Sequence, residues 1–430
     1  MMDLRDNSSG GVAEIAGLHG AFSFPEHLLQ QLWLRGDFDA RALRLRDGRS
    51  LRLRRRGRWN RLAGPDFADA EMEVGDGADR AVWSGAVEVH LRAVDWDQHG
   101  HAKDPAYDRV VLHVVLFPSM REWTAGADGR RIPILELLPL LERDLEAYAE
   151  EAAVEGIAGR PYSQLREALA AVPVERLRAE VARHAERRWT AKTRLAGARV
   201  ARLGWAEACH QAALEVLGYR PNRAPMLALA EAVPLADWRA AALTGLTEWD
   251  AWIDGAMGMV VQIDWARGGV RPANQPRRRL RQYAQWIAAG PDWPERLAEQ
   301  AATLVEPLVG GNVVASTGLR ARRKSWRLRE TRERLRSNVC GGALGGTRFD
   351  TMVCDAWLPL LAARASTPEQ GEHLGRLWSV WVPGDGPEEM SRLAREFQVG
   401  GASGEALAQG DLQGLLGWLA ALAPRGGRGA

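Results

Sequence analysis

The chain has 430 residues, 46% hydrophobic and 26% charged, and 57 basic against 55 acidic residues leave a net charge of +2. That length exceeds one small core and predicts two or more domains. The composition excludes a disordered chain, and the net charge selects no partner.

Three cysteines (Cys209, Cys340, Cys354) without a Cys-x-x-Cys exclude a disulfide framework and a cysteine-based zinc site. Residues 1–24 read as a loose polar tail without the apolar stretch of a signal peptide. No apolar run reaches the length that spans a bilayer. The expectation is a soluble, cytoplasmic protein with no membrane association, its oligomeric state open.

Pro25 sits at the start of PEHLLQQLWLRG, whose Leu28, Leu29, Leu32 and Trp33 recur at helical spacing. Two alternating runs then flank Asp47-Gly48, a hairpin signal that puts Leu43, Leu45, Leu51 and Leu53 on one face. Strands follow in ADAEMEVGD, AVWSGAVEVHL and RVVLHVVLF, the last apolar on both faces and so central, with RRIPILEL as a further candidate. This first domain is expected over residues 25–138. From Pro139 the composition turns to Ala, Leu, Arg and Glu, which favours helix. Residues 139–424 read as a helical domain, divisible near 310, with a disordered end at 425–430. The fold class expected is α+β, a mixed α/β domain followed by a large all-α region.

Chemistry concentrates between Gly64 and His113. Four of the nine histidines (His90, His99, His101, His113) fall there, beside Asp66, Glu88, Asp95 and Asp104. Glu88 and His90 are two apart on a strand, so they share a face while Val87, Val89 and Leu91 point into a core. Asp66 opens the preceding strand. Neighbouring strands lie about 4.8 Å apart, so Asp66 and Glu88 can converge on one Mg²⁺ or Mn²⁺ ion, which takes hard oxygen ligands. Zinc on His99 and His101 is the weaker expectation, because His-x-His in a loop lacks a fixed partner spacing. Plainer roles compete: Asp66 as a turn residue, His113 as a core histidine, Asp95 and Asp104 as loop ties.

Pro65-Asp66 and Glu88-Val89-His90, 22 residues apart after an amino-terminal helix, resemble the restriction-endonuclease-like PD-(D/E)xK nuclease superfamily over about residues 25–117. The resemblance implies a restriction-endonuclease-like fold and metal-dependent cleavage of DNA or RNA, with Asp66 and Glu88 on the metal. His90 stands where the superfamily has a catalytic lysine, and Lys103 is the one lysine nearby in sequence. His99, His101, Asp104 and His113 would surround the scissile phosphate. A longer block is similar to the bacterial domain of unknown function 2851 family. It runs from Gly64-Pro65-Asp66-Phe67 through Asp95-Trp96, His99-x-His101 and Asp104-Pro105-Ala106-Tyr107-Asp108 to His113-Val114-Val115. Arg271-Pro272-Ala273-Asn274-x-Pro276, Asp355 to Pro359 and Gln413-Gly414-Leu415-Leu416 extend it downstream.

Of the basic residues, 54 are arginine. Ten lie between Arg41 and Arg61 against Asp47 alone, five between Arg271 and Arg281, and nine basic residues lie between Arg320 and Arg336. Arginine grips phosphate bidentately, so Arg44, Arg46, Arg52 and Arg54, with Arg271, Asn274 and Arg277, are candidate nucleic-acid contacts. A genome rich in G and C would also favour arginine without any such role. Three functions follow: a metal-dependent nuclease, a non-catalytic nucleic-acid-binding or scaffold protein on a degenerate nuclease fold, or a metal-dependent hydrolase of a small substrate using the histidines.

Overall fold

The computed structural model of the chain describes residues 12–17, 20–60, 63–141, 145, 148–149, 152–153, 157, 160–244, 248–260, 265–268, 270–304, 318–386, 388–400 and 406–422. It divides into two units, one over Met1–Ala152, the other over Ala153–Val260 and Trp265–Ala423. The first is mixed α/β and the second helical. The expected division near 310 and the end at 425–430 fall outside the described residues. Leu145 and Tyr148, expected to open the helical region, instead pack into the core of the first unit. The Tyr148 hydroxyl donates to the Asp37 carbonyl at 3.0 Å.

The amino-terminal stretch needs correction. Strands β1 (Val12–Gly17) and β2 (Gly20–Pro25) pair antiparallel from Val12↔Pro25 to Gly17↔Gly20. Backbone pairing of this kind leaves little trace in composition, which is why a tail was expected. Helix α1 (Glu26–Arg35) starts directly after Pro25 and buries Leu28, Leu29, Leu32 and Trp33. Gly36 ends it at φ +72°, its N–H returning to the Leu32 and Trp33 carbonyls, a left-handed cap that glycine adopts freely.

The sheet contains β3 (Leu51–Arg55), β4 (Arg58–Trp59), β5 (Phe67–Val74), β6 (Ala81–His90), β7 (Val110–Val115), β8 (Trp123–Ala125) and β9 (Arg131–Glu136). Its order is β3-β5-β6-β7-β9-β8, with β4 beside β5. The Asp47-Gly48 turn forms with Gly48 at φ +90°, but only its second arm becomes a strand. The first makes isolated bridges, Arg44↔Ser50 and Leu45↔Leu135. The predicted alternation survives: Leu43, Leu45, Leu51 and Leu53 are buried.

β5 and β6 run antiparallel, whereas β6, β7 and β9 are parallel. A parallel pair needs a long crossover. Here residues 91–109 supply it, carrying α2 (Asp95–Gln98) and two short 3-10 turns, His101–Lys103 and Pro105–Tyr107. Val87, Val89, Leu112 and Val114 meet the α1 side chains in one core. Glu88 and its register partner His113 take the alternate positions, on the same sheet face as His90. There Ala86, Val110 and Ile132 pack with Trp96 and Tyr107 of the crossover.

In the helical unit, α3 (Tyr162–Ala170) precedes α4 (Val174–Ala232), which is interrupted at Gly204, Tyr219 and Asn222, next to Pro221 and Pro225. The core further includes α5 (Leu235–Leu243), α6 (Trp249–Gly258), α7 (Pro276–Ala289), α8 (Trp293–Gln300), α9 (Leu319–Ser325), α10 (Leu328–Cys340) and α11 (Gly346–Met352). A π turn joins α11 to α12 (Leu358–Ala363), and α13 (Pro368–Val380), α14 (Glu388–Glu396) and α15 (Gln409–Ala421) follow. Gly414 explains part of the downstream sequence block: a Cβ there would overlap the Val181 carbonyl of α4. Gln413 beside it accepts from Arg188 Nε at 2.8 Å. Among the described residues, no helix is long and apolar enough to cross a membrane.

Candidate functional site

Asp66 and Glu88 are held by an exchange with each other's strand. The Asp66 backbone N–H donates to Glu88 Oε2 at 2.9 Å, and the Val89 N–H donates to Asp66 Oδ2 at 3.1 Å. The geometry comes from a register shift between Phe67↔Val87 and Ala70↔Gly85, where Asp69 takes φ +59°. The Asp66 carboxylate thus satisfies an N–H that the ladder leaves over. From α1, Gln30 Nε2 donates to Asp66 Oδ1 at 2.8 Å. A third acid comes from the first position of α1: Glu26 is 6% exposed and its Oε2 is buried without a hydrogen-bond partner.

No Lys or Arg pairs with these acids among the described residues. Burial raises Asp66 to about 8, helped by the neighbouring Glu88 charge. Burial likewise raises Glu88 to about 8. Glu26 rises to about 8 through burial and then through the charges of Asp66, Glu88 and Asp95. Taking a carboxylate out of water without a counter-charge disfavours its ionised form.

The four histidines meet around His90, beside Glu88. Thr124 Oγ1 lies 2.8 Å from His113 Nδ1, His113 Nε2 lies 2.9 Å from His90 Nδ1, and His90 Nε2 lies 3.1 Å from His99 Nδ1. Glu88 Oε1 is 3.5 Å from His90 Nε2 and 3.4 Å from His101 Nε2. Tyr107 stacks on His101 with centroids 3.8 Å apart, and Trp96 meets His90 and His101 edge-on. The Trp96 indole N–H is anchored on the Ala125 carbonyl. His90 and His113 are fully buried and His99 is exposed. Burial, then the neighbouring imidazoles, holds His90 well below the usual histidine range; burial, then His101 and Arg121, brings His113 down to about 3. Burial, then His101, lowers His99, and burial lowers His101 against the opposing charge of Asp104. At neutral pH these rings are uncharged and keep a lone pair each.

The expected residues therefore separate into two groups. Asp66, Glu88, His90, His99, His101 and His113 come together. Asp104 does not: it is exposed, and its Oδ1 accepts the Ala106 N–H at 2.9 Å to cap the Pro105–Tyr107 turn. Asp95 similarly accepts the Arg92 N–H at 2.8 Å. Lys103 is exposed and makes no described contact with Asp66 or Glu88. The sequence reading missed Glu26, Gln30 and Thr124. Glu26 and Gln30 are four apart on the buried side of an amphipathic helix, a spacing that puts them on one face and was a usable signal. Thr124 had none.

The arginine candidates are largely engaged within the protein. Arg54 pairs with Glu71 at 3.1 Å and Glu73 at 2.7 Å, Arg46 with Glu136 at 3.2 Å, and Arg44 Nη1 donates to the Gly48 carbonyl at 3.1 Å. Arg52 is exposed opposite Glu73 in the ladder. In the helical unit Arg277 pairs with Asp254 at 2.6 Å, Asn274 Oδ1 accepts from Arg279 Nη2 at 2.5 Å, and Arg271 is exposed.

The sequence profile of the family described as "Protein of unknown function (DUF2851)" matches residues 26–263, more than half of the chain. The chain belongs to the DUF2851 family. The matched span begins at Glu26 and contains the whole carboxylate and histidine cluster, so this cluster lies inside the part that defines DUF2851 membership here. No curated protein and no solved structure matches the chain.

Proposed function

We propose that the α/β unit is a metal-dependent hydrolase of phosphodiester bonds in DNA or RNA, with Asp66 and Glu88 on the metal. One observation carries the reading: three acids, Asp66, Glu88 and Glu26, are buried together with no Lys or Arg among the described residues to balance them. A divalent cation is the counter-charge such a group fits. Each Asp66 oxygen accepts one hydrogen bond and keeps a second lone pair, and Glu88 Oε1 accepts none from the backbone. The Pro-Asp strand antiparallel to the acid-x-His strand, followed by a parallel strand, is consistent with the nuclease resemblance. Mg²⁺ or Mn²⁺ suits the oxygen donors.

When bound, such a metal acidifies a water and offsets charge on phosphate oxygens. The protein's own residues do the rest. Gln30 and the Val89 N–H fix the Asp66 carboxylate, and the Asp66 N–H fixes Glu88. His90 Nε2 receives the proton from the attacking water, its ring held by His113, which Thr124 holds in turn. Trp96 and Tyr107 keep bulk water off the inner rings, while exposed His99 faces the substrate side. A neutral His90 supplies no positive charge where the superfamily has lysine. The nucleic-acid contact is electrostatic and weakens with salt.

The test is cleavage of single- and double-stranded DNA and RNA with Mg²⁺ or Mn²⁺, beside Asp66→Ala and Glu88→Ala. Metal-dependent cleavage lost in both variants is the expected result. Activity that survives both substitutions overturns the assignment. Salt-sensitive binding without cleavage would favour the non-catalytic alternative.

A further inference from the structure

We propose that His90, His99 and His101 form a transition-metal centre, a site for Zn²⁺ or a similar borderline ion, with Glu88 as the fourth donor. The inference rests on the hydrolase reading only for what the ion would do, not for whether it binds. One ligand nitrogen from each of the three rings lies within 4.8 Å of the other two. The contacts are closer than that limit. His90 Nε2 is 3.1 Å from His99 Nδ1, and Glu88 Oε1 is 3.5 Å from His90 Nε2 and 3.4 Å from His101 Nε2. Four donors around a tetrahedral ion with bonds of about 2.0–2.1 Å lie roughly 3.3 Å from one another. Three of the six donor–donor separations thus already match the edges of such a tetrahedron.

The hydrogen-bond chain behind the cluster accommodates the matching tautomer. If His113 Nδ1–H donates to Thr124 Oγ1, His113 Nε2 must accept, and His90 Nδ1–H donates to it. His90 Nε2 is then a bare lone pair aimed at the cluster. A metal-bound histidine commonly has its other N–H held in this way. His101 Nε2 is buried and has no hydrogen-bond partner. A bare ring nitrogen left in that position is costly unless something accepts its lone pair. Trp96 and Tyr107 supply an aromatic wall around it, and the exposed ring of His99 supplies the entry path.

Donor chemistry sets the class. Imidazole nitrogen suits Zn²⁺, Co²⁺, Ni²⁺ and Cu²⁺, whereas Mg²⁺ demands oxygen. The site differs from the Asp66–Glu88 pair in that Asp66 is not part of it; Glu88 is shared, so the two ions are alternatives, and with this one bound His90 Nε2 is a ligand and no longer the proton acceptor. His-x-His in a loop was a weak sign because its third and fourth ligands lie on β6, where only the fold brings them.

The experiment uses the full chain stripped with a chelator and titrated with Co²⁺, read by the visible absorption that tetrahedral Co²⁺ acquires. Wild type should take up one equivalent, displaced by Zn²⁺ and not by Mg²⁺. His99→Ala, at an exposed position, should fold normally and bind at least about tenfold more weakly. Asp66→Asn should bind as wild type. No Co²⁺ spectrum from folded wild type, or an unchanged titration in His99→Ala, overturns the proposal. Mg²⁺-dependent cleavage by a protein that does not bind Co²⁺ would remove this centre and leave the hydrolase. Stoichiometric Co²⁺ binding with no cleavage under any metal would do the reverse.

Discussion

In the helical unit His210 lies inside α4 with both ring nitrogens engaged. Nδ1 is 2.6 Å from the Tyr283 hydroxyl and Nε2 is 3.1 Å from the Val233 carbonyl. Its surroundings are the apolar and aromatic core, including Trp238 and Tyr283. In the α/β unit His90 is equally hidden and its basicity is also depressed. There the rings face one another and a carboxylate, and His101 Nε2, 3.4 Å from Glu88 Oε1, makes no hydrogen bond among the described residues. Burial and a lowered pKa are thus common to both places and identify nothing. What separates them is the kind of partner: His210 meets a hydroxyl and a carbonyl, whereas the hydrogen bonds of His90 are to other imidazoles, beside a His101 Nε2 that makes none among the described residues. A histidine held between a hydroxyl and a carbonyl is a structural pin.

The contrast predicts different responses to damage. The largest belongs to His210→Ala, which leaves a cavity and strands both the Tyr283 hydroxyl and the Val233 carbonyl. A loss of about 3–5 kcal/mol is expected for the helical unit, read by hydrogen exchange of residues 206–214 in increasing denaturant. A loss below about 1 kcal/mol would mean that His210 is not the pin its contacts suggest.

The next effect is pH dependence. Burial lowers His210 from 6.5 to about 4. A depressed histidine contributes stability that is present above its unfolded value and lost as pH falls through the folded one. The helical unit should therefore lose roughly 3 kcal/mol between pH 6.5 and 4. The same hydrogen-exchange measurement, repeated across that range, checks this; an unchanged protection pattern would contradict it.

The α/β unit should respond on the other side of neutrality. Glu26 is raised from 4.5 to about 8 by burial and by the charges of Asp66, Glu88 and Asp95 that face it. A raised acid has its full stability below its unfolded value and loses it as pH climbs to the folded one. Above pH 6.5 the depressed histidines no longer contribute a slope. In metal-free protein Glu26 should then contribute a loss of about 2 kcal/mol between pH 6.5 and 8, beside the losses from Asp66 and Glu88, which burial raises into the same range. Glu26→Gln should make the slope shallower by the Glu26 share. A variant as pH-sensitive as wild type would locate the penalty elsewhere.

Much of this arrangement is legible in the residues themselves, and the limits are physical. The period-two pattern of β6 puts Glu88 and His90 on one face, and α1 buries the Leu28, Leu29, Leu32 and Trp33 whose helical spacing marks it. Both depend on contacts only a few residues apart. The approach of His99 and His101 to Glu88 depends on the parallel crossover, a property of strand order that local pattern does not carry. β8 has three residues, too few for alternation to show, and so Thr124 and its link to His113 were invisible. Asp104 shows the opposite limit. Its residue type and position suited a site, yet a local cap of the Pro105–Tyr107 turn uses its carboxylate instead. An acid that ties a loop and an acid that waits for a cation look alike until their partners are known.

The smallest expected effect discriminates most sharply. His99 belongs to the same cluster as His90, but its ring is exposed and its described hydrogen bond is the one to His90 Nε2. Removing that exposed ring takes one partner from His90 Nε2 and opens that nitrogen towards solvent. In metal-free protein, His99→Ala should change the stability of the α/β unit by no more than about 0.5 kcal/mol, as for other surface substitutions. Wild type at a hundredfold excess of Zn²⁺ over its dissociation constant should gain about 2.7 kcal/mol from binding, and the variant at the same Zn²⁺ concentration should not. Thermal unfolding with and without Zn²⁺ measures both terms. If His99→Ala instead costs several kcal/mol without metal, His99 is a pin of the His210 kind. The two regions would then differ in degree only.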